Sequence, residues 1–395
     1  MKRTISYHII ICAAFVLLIF SQCTDRKNDP SDQTEKVFYP LDTFCMGADL
    51  SFTNELLDAG AVFKDSGRVT DPYLIFKRHG CNLVRVRLWH NPVWTMGTGS
   101  KMYSDLKDAE MTIKRSKEAG MAVNLDFHYS DTWADPSKQQ LPAAWANADF
   151  NTILDSVYNY TFKVLSYLGQ KNLMPEMVQI GNEINPGMLF PHGNITASGW
   201  EKLGIILNRG IKAVRDASAT SVIKPQIILH VAQPENVQSW VTNITNKGGV
   251  TDFDIIGLSY YIKWSKTPLN QLGMTILGLT DLFRKKVMIV ETAYPWTSDG
   301  EDSYGNIFSG SDYDPLYPQT MEGQYNYLVA LTRQVILGKG TGIQYWAPDW
   351  ISSPRKDQWG TGSSWENNTF FDFDGNVIKG MEYMTYPYKG LMGNK

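Results

Sequence analysis

What most constrains this chain is a repeated alternation: eight short apolar, β-rich runs separated by longer stretches with helical periodicity. The runs are Phe44–Phe52, Asn82–Trp89, Ala122–His128, Met177–Glu183, Gln226–Ala232, Ile255–Tyr261, Val287–Thr292 and Gly342–Trp346. Short strands each followed by a helix or long loop build a parallel sheet, because a parallel strand can be reached only by a crossover. A doubly wound sheet alternates in the same way. The count of eight favours closure instead, and so do the polar or aromatic residues ending nearly every run. In a closed barrel those ends converge on one face. No GxGxxG or GxxxxGK[ST] pattern follows a run, as a doubly wound nucleotide binder would require. The expected fold is α/β, a single (β/α)8 TIM barrel whose long βα loops form a cleft.

Ahead of the barrel, Lys2 and Arg3 precede an apolar run from Ile9 to Phe20, the pattern of an export signal and too short to span a bilayer. The run ends in Phe20-Ser21-Gln22-Cys23, which resembles a bacterial lipoprotein signal with Cys23 as the lipidated residue, although Gln22 is larger than the usual neighbour. Ordinary signal cleavage nearby is the alternative. Asp25 after Cys23 points to the cell surface, so the expected location is an outer-membrane lipoprotein. The expected organisation is a signal peptide over 1–23, a polar tether over 24–36 and one folded domain over 37–395. Cys45 and Cys81 remain in that domain and read as buried thiols more readily than as a bridge. A formal net charge of −3, with no long Lys/Arg run, argues against nucleic acid.

The run ends carry the chemistry. A carboxylate directly after an apolar strand is costly unless it faces a polar site or a partner. Two such glutamates occur, Glu183 ending run four and Glu291 ending run seven. In a barrel they face each other across the mouth. Ion pairing with Arg85 or Arg87 is the plain alternative, but Asn182 before the first Glu and Glu291-Thr292-Ala293-Tyr294-Pro295 around the second favour a working pair. His128 and His90 also fall at run ends; no third His or Cys completes a zinc-like set, so His128 reads as a substrate or supporting hydrogen-bond group. The chain holds 12 Trp. Trp89, Trp94, Trp133, Trp346 and Trp350 fall at or after run ends beside Asp131, Asp135 and Asp349. Flat apolar faces ringed by polar groups suit sugar rings, with Trp89 and Trp346 the leading platform candidates.

Asn182-Glu183 and Glu291 resemble the signature of clan A retaining glycoside hydrolases, and the ordered set of segments resembles glycoside hydrolase family 53, the endo-β-1,4-galactanases. The segments include Gly47-Ala48-Asp49-Leu50-Ser51, Val84-Arg85-Val86-Arg87-Leu88-Trp89, the stretch from Leu125 to Pro136, Gln179-Ile180-Gly181-Asn182-Glu183, Gly257-Leu258-Ser259-Tyr260-Tyr261 and Trp365-Glu366-Asn367. The resemblance implies that Glu291 is the nucleophile and Glu183 the proton donor and base, with carboxyls about 5–5.5 Å apart. It further implies that Arg87 keeps Glu291 ionised, Asn182 bonds a sugar 2-hydroxyl and Tyr260 orients the nucleophile. The substrate implied is β-1,4-galactan, with no organic cofactor; a monomer is the default expectation, meeting the membrane only through the lipid anchor read from the signal segment.

A further expectation is structural Ca2+. The loop Asp299-Gly300-Glu301-Asp302-Ser303-Tyr304-Gly305-Asn306 places acidic and amide oxygens at alternate positions. By resemblance to bacterial members, Ser363 and Glu366 would complete a set with Asp299, Asp302, Tyr304 and Asn306, although an aligned acidic position falls on Gly300. Two rival readings are another clan A endo-glycanase, such as a mannanase or glucanase, and a non-catalytic glycan-binding lipoprotein. The first should lack the His128–Pro136 segment in this form. The second should lack one of the two carboxylates.

Overall fold

A computed structural model describes residues 36–97 and 99–388; the signal segment and the tether up to Glu35 lie outside the described residues. Eight parallel strands close into a barrel: β1 (Cys45–Asp49), β2 (Leu83–Leu88), β3 (Ala122–Phe127), β4 (Met177–Ile180), β5 (Gln226–Ala232), β6 (Ile255–Ser259), β7 (Lys286–Glu291) and β8 (Gly342–Tyr345). They follow chain order around the barrel, and β1 pairs with both β2 and β8. The expected (β/α)8 barrel is the fold observed. Among the described residues eight α-helices connect them, two between β1 and β2 and one in each later connection: α1 (Thr53–Asp58), α2 (Pro72–Arg78), α3 (Leu106–Glu118), α4 (Phe150–Gln170), α5 (Ile195–Ala217), α6 (Pro234–Asn246), α7 (Leu269–Phe283) and α8 (Met321–Leu337).

Local sequence explains several helix starts. Asp105, Asp149 and Thr320 cap α3, α4 and α8 by accepting the amides of Asp108, Thr152 and Gly323. Asp71 caps α2 directly before Pro72, which suits the first turn because it lacks an amide hydrogen to orphan.

The period-two alternation of each strand divides its side chains between helix layer and lumen. In β2, Val84, Val86 and Leu88 join the main core against the helices. Leu83 joins a separate cluster with Cys45, Met177, Ile228, Ile255, Met288 and Val290, which plugs the lumen at the N-terminal end of the strands. Further along the same lumen-facing positions turn polar, through Gln179 and Gln344 to Asp49, Arg85, Asp126, His230 and Ser259, all buried. Packing there is tight: a Cβ on Gly47 would lie 2.7 Å from the Gln344 side chain. The lumen is thus apolar at its base and charged at its mouth, and the charged end is where the loops gather. Cys45 and Cys81 are buried thiols.

Candidate active site

At the C-terminal mouth lies a cleft of about 460 Å³, lined by both Glu183 and Glu291 together with Arg85, Asn182 and Tyr261. Chain geometry sets the two carboxylates differently. Glu291 ends β7, where the pairing register with β6 shifts between Leu258 and Ser259, so that Ser259 stands opposite Glu291. Glu183 follows β4 after Gly181 (φ 82°) and itself takes the left-handed backbone (φ 45°). A non-glycine residue held there costs roughly 1–3 kcal/mol and marks a position over-determined by its surroundings.

Arg85 organises the floor. Its Nη1 donates to Asp49 (2.8 Å), and its Nη2 donates to Asp126 (2.7 Å) and Asn182 Oδ1 (2.7 Å). The same Nη2 lies 2.9 Å from Glu291 Oε1. The Tyr261 hydroxyl donates to Glu291 Oε2 at 3.0 Å. Among the described residues no cation contacts Glu183; Ser259 donates to its Oε1 at 2.6 Å.

Burial lifts the Glu183 carboxyl to about 7; the Ser259 hydrogen bond opposes the rise, and the charge of Asp135 adds to it. Burial also lifts Glu291, to about 8, against the pull of Arg85 and with the repulsion of Glu183. Taken one by one, these values would leave Glu183 the stronger acid. Direct contact argues the other way. The two carboxyls share one site and cannot both ionise freely, so the pair titrates as a unit. A guanidinium and a hydroxyl touch Glu291, and only a hydroxyl touches Glu183. We therefore assign the pair's first negative charge to Glu291.

Several sequence expectations need correction. Arg87 does not hold Glu291: its guanidinium lies over the rings of Trp133 (4.1 Å), Trp89 (4.4 Å) and Phe52 (4.6 Å), and it donates to Ser104. Both arginines face the lumen, but Arg85 sits one lumen position deeper, level with Asp49. Tyr260 does not reach the nucleophile either. Its hydroxyl donates to the Thr267 carbonyl (3.0 Å), because the inward positions around β6 are 255, 257, 259 and 261. Trp89 is only 2% exposed, absent from the cleft wall, and donates from its indole to His128 Nδ1 (3.1 Å). It is a support beneath Arg87, not a platform.

Asp131 lies off the cleft and braces loops by accepting the amides of Asn91 and Ala143. Asp349 is fully buried, accepts from Thr53 (2.5 Å), and is pushed up to about 7 by burial. Neither lines the cleft. Asp135, Trp133 and Trp346 do line it. Asn182 lines it as well, with its Nδ2 donating to Ala134 O. His128 Nδ1 accepts from Trp89 and from the Ala134 amide, which leaves Nε2 to donate to Asp126 (3.0 Å). Burial depresses its pKa, against the charge of Asp126.

Sequence reading assigns no role to His230, Trp264 or the indole of Trp365, yet the two tryptophans line the cleft and His230 bonds Ser259 beneath it. His230 had a readable signal: it is a polar residue at an inward position of the apolar run Gln226–Ala232. Among the described residues no group of three or more His, Cys, Asp and Glu side chains could hold a metal. Asp302 accepts the amides of Tyr304 and Ser363, and Glu366 accepts the Glu301 amide, the Asn306 side chain and the Ser352 hydroxyl. Ser363 Oγ donates to Trp350 O, and the Tyr304 hydroxyl donates to Asp357. Asp299 is exposed.

Comparison with known proteins agrees with this geometry. The model of glycosyl hydrolase family 53 matches residues 45–384. An arabinogalactan endo-β-1,4-galactanase of Cellvibrio japonicus is 45% identical over 332 residues, covering 83% of this chain and 86% of the relative. An endo-β-1,4-galactanase of Bacillus subtilis is 31% identical, covering 89% and 88%. A solved family 53 catalytic domain from Ignisphaera aggregans superposes with TM-score 0.80 at 33% identity, covering 89% of this chain and 98% of that one. Two carboxylates in one barrel-mouth cleft and a family match spanning nearly the whole barrel lead to the same place: this chain belongs to glycosyl hydrolase family 53.

Proposed function

We propose that the chain is a retaining endo-β-1,4-galactanase that cleaves galactan and type I arabinogalactan, with Glu291 as nucleophile and Glu183 as acid and base. The observation that carries the assignment is the unequal surroundings of the two carboxyls: Arg85 and Tyr261 on Glu291, the Ser259 hydroxyl alone on Glu183. A nucleophile must be charged and an acid neutral at the same pH, and such asymmetry separates them.

In the first half-reaction, a Glu291 oxygen attacks the anomeric carbon while Glu183 gives its proton to the departing glycosidic oxygen. The C–O bond breaks and a galactosyl ester forms on Glu291. In the second, Glu183, now ionised, takes a proton from water as the water oxygen attacks the same carbon and releases Glu291. The second amide hydrogen of Asn182 suits the sugar 2-hydroxyl. Arg87, stacked on Trp133, backs the cleft wall. Trp346 and Trp133 offer ring faces to the sugar C–H groups.

Calcium belongs to the same proposal. Among the described residues Asn306 Oδ1 is buried without a partner, beside Glu366 at the junction where Asp302 meets the Ser363 loop. Asp302, Asn306 and Glu366 are the candidate ligands, and the ion would pin two loops without taking part in the chemistry. Export, lipidation at Cys23, surface exposure and a monomeric state complete the proposal and rest on the sequence alone.

The direct test is incubation with β-1,4-galactan, β-mannan and cellulose. Galacto-oligosaccharides from the first and no products from the others are expected, and Glu183→Gln and Glu291→Gln should each abolish galactan turnover. Release from mannan or cellulose but not galactan would overturn the substrate assignment.

A further inference from the structure

The line between Glu183, after β4, and Glu291, ending β7, divides the barrel mouth into unequal arcs: β5 and β6 on one side, β8, β1, β2 and β3 on the other. The larger arc carries Trp346 and Trp133, and the cleft continues there into a hollow of about 280 Å³ that both rings also line. The smaller arc carries Gln233, directly after β5, and Trp264, in the loop after β6. Both line the cleft. Neither takes part in the chemistry of the carboxyls.

Trp264 is held as a fixed face. Its amide donates to the Tyr261 carbonyl (3.0 Å), and the Ser265 amide donates to the same oxygen (2.9 Å), so the chain turns tightly after Tyr261. Lys263 ties that turn to the loop after β7 by donating to Ile307 O (2.6 Å) and Asp312 (2.7 Å). The indole stands nearly perpendicular to the rings of Tyr261 (5.1 Å between centroids) and Phe308 (5.6 Å). It is nevertheless 43% exposed, more than any other aromatic side chain of the cleft wall. A large ring so firmly placed and left in water forgoes the burial that ordinarily holds a Trp. Gln233 is held through its backbone, whose amide donates to Ser259 O (3.2 Å), at φ 56°. A residue with a side chain takes that conformation only where its surroundings demand it. Among the described residues the Gln233 side-chain amide has no hydrogen-bond partner.

Asn182 decides which arc takes which sugar. Its Oδ1 accepts from Arg85 of β2 and its Nδ2 donates to Ala134 O after β3, so it faces the larger arc. The sugar whose 2-hydroxyl it meets, the one that Glu291 attacks, therefore lies on that side. Glu183 leans the other way, toward Ser259 at the end of β6, which sets the acid toward the departing oxygen. We infer that Trp264 and Gln233 form the binding site of the leaving sugar, the galactosyl unit that departs with the glycosidic oxygen. Trp264 stacks on its C–H face and the Gln233 amide bonds its hydroxyls. This rests on the reading of the chain as a galactanase with Asn182 at the 2-hydroxyl. An apolar ring beside an amide is the pairing a sugar requires. A site that holds the leaving sugar in line with Glu183 speeds cleavage by orientation.

The test compares two substrates on the full-length protein. Galactotetraose must place sugars on both arcs. β-Galactobiosyl fluoride fills only the larger one, since fluoride departs alone as Glu291 attacks the anomeric carbon. In Trp264→Ala the ratio of kcat/KM on the first to that on the second should fall about tenfold, and in Gln233→Ala about threefold. Trp264→Phe, which keeps a ring face, should restore most of the ratio. Trp346→Ala should keep it, because both substrates lie against Trp346. Turnover of the fluoride also reports that each variant is folded; should Trp264→Ala not fold, Gln233→Ala carries the same comparison. A ratio unmoved in folded Trp264→Ala, or one that falls in Trp346→Ala instead, overturns the inference while the galactanase reading stands. A wild type that cleaves neither substrate refutes the galactanase reading itself, and the site for a galactosyl leaving group with it.

Discussion

Tyr260 and Tyr261 are adjacent in sequence and differ in where they point, so they form an internal control on the architecture of the site. Tyr261→Phe removes the 3.0 Å bond donated to Glu291 Oε2 and leaves the ring in place. A hydrogen bond to a charged group contributes about 1.5–3 kcal/mol. Part of that survives in the transition state, where the oxygen keeps some charge, so the lower figure applies. It converts to about one pH unit at 1.36 kcal/mol per unit and about a tenfold loss in rate. The sign follows from the chemistry. Glu291 attacks only when ionised, and losing a donor to the ionised form raises its pKa. The acid limb of kcat/KM therefore moves to higher pH by about one unit, with kcat down about tenfold at the optimum. Tyr260→Phe should leave both unchanged and lower stability by about 1 kcal/mol, through its lost bond to Thr267. The assay is a pH–rate profile on soluble galactan, with melting curves for both variants. An acid limb that moves in Tyr260→Phe and stays put in Tyr261→Phe would refute the register of β6 and with it the nucleophile's setting.

Other expectations follow from the same geometry. Trp346→Ala should raise KM about tenfold with the fold intact, whereas Trp89→Phe should leave KM within about twofold and lower Tm by a few degrees, since Trp89 is packed under Arg87; equal effects on KM would put Trp89 back on the cleft wall. Asp349, with its carboxyl raised by burial to about 7, binds its proton more tightly folded than unfolded. Wild type should therefore lose stability as pH rises from about 4 to 7, and Asp349→Asn should not, gaining up to about 4 kcal/mol at pH 8 and nothing near pH 3. A gain equal at both pH values in melting experiments would contradict the buried, protonated carboxyl. Removing calcium with a chelator should lower Tm and added Ca2+ should restore it; an unchanged Tm would leave the hydrogen bonds of Asp302 and Glu366 as the whole of the loop junction.

The barrel was legible because buried parallel strands leave continuous apolar runs, and all eight fall within a few residues of the observed strands. The carboxylate pair was legible for the converse reason, that charge at the end of such a run needs a use. What failed was finer. Parity within Ile255–Tyr261 already separates Tyr261 from Tyr260, since Gly257 and Ser259 are the inward positions, and counting from the small polar residues would have found it. Parity could not separate Arg85 from Arg87, which share a face; depth in the lumen decides, and depth depends on strand stagger. The burial of Trp89 and Asp349 was beyond local reading, because the loops that cover them come from distant parts of the chain.

The most direct test of the central assignment is to trap the glycosyl-enzyme with a 2-deoxy-2-fluoro-β-galactosyl fluoride. The fluorine slows both steps and the good leaving group restores the first, so the ester accumulates. Peptide mapping by mass spectrometry should then place the sugar on Glu291, and Glu183→Ala should still form the adduct while releasing it slowly. A label on Glu183, or full turnover to a product of inverted anomeric configuration with no adduct, would contradict the account.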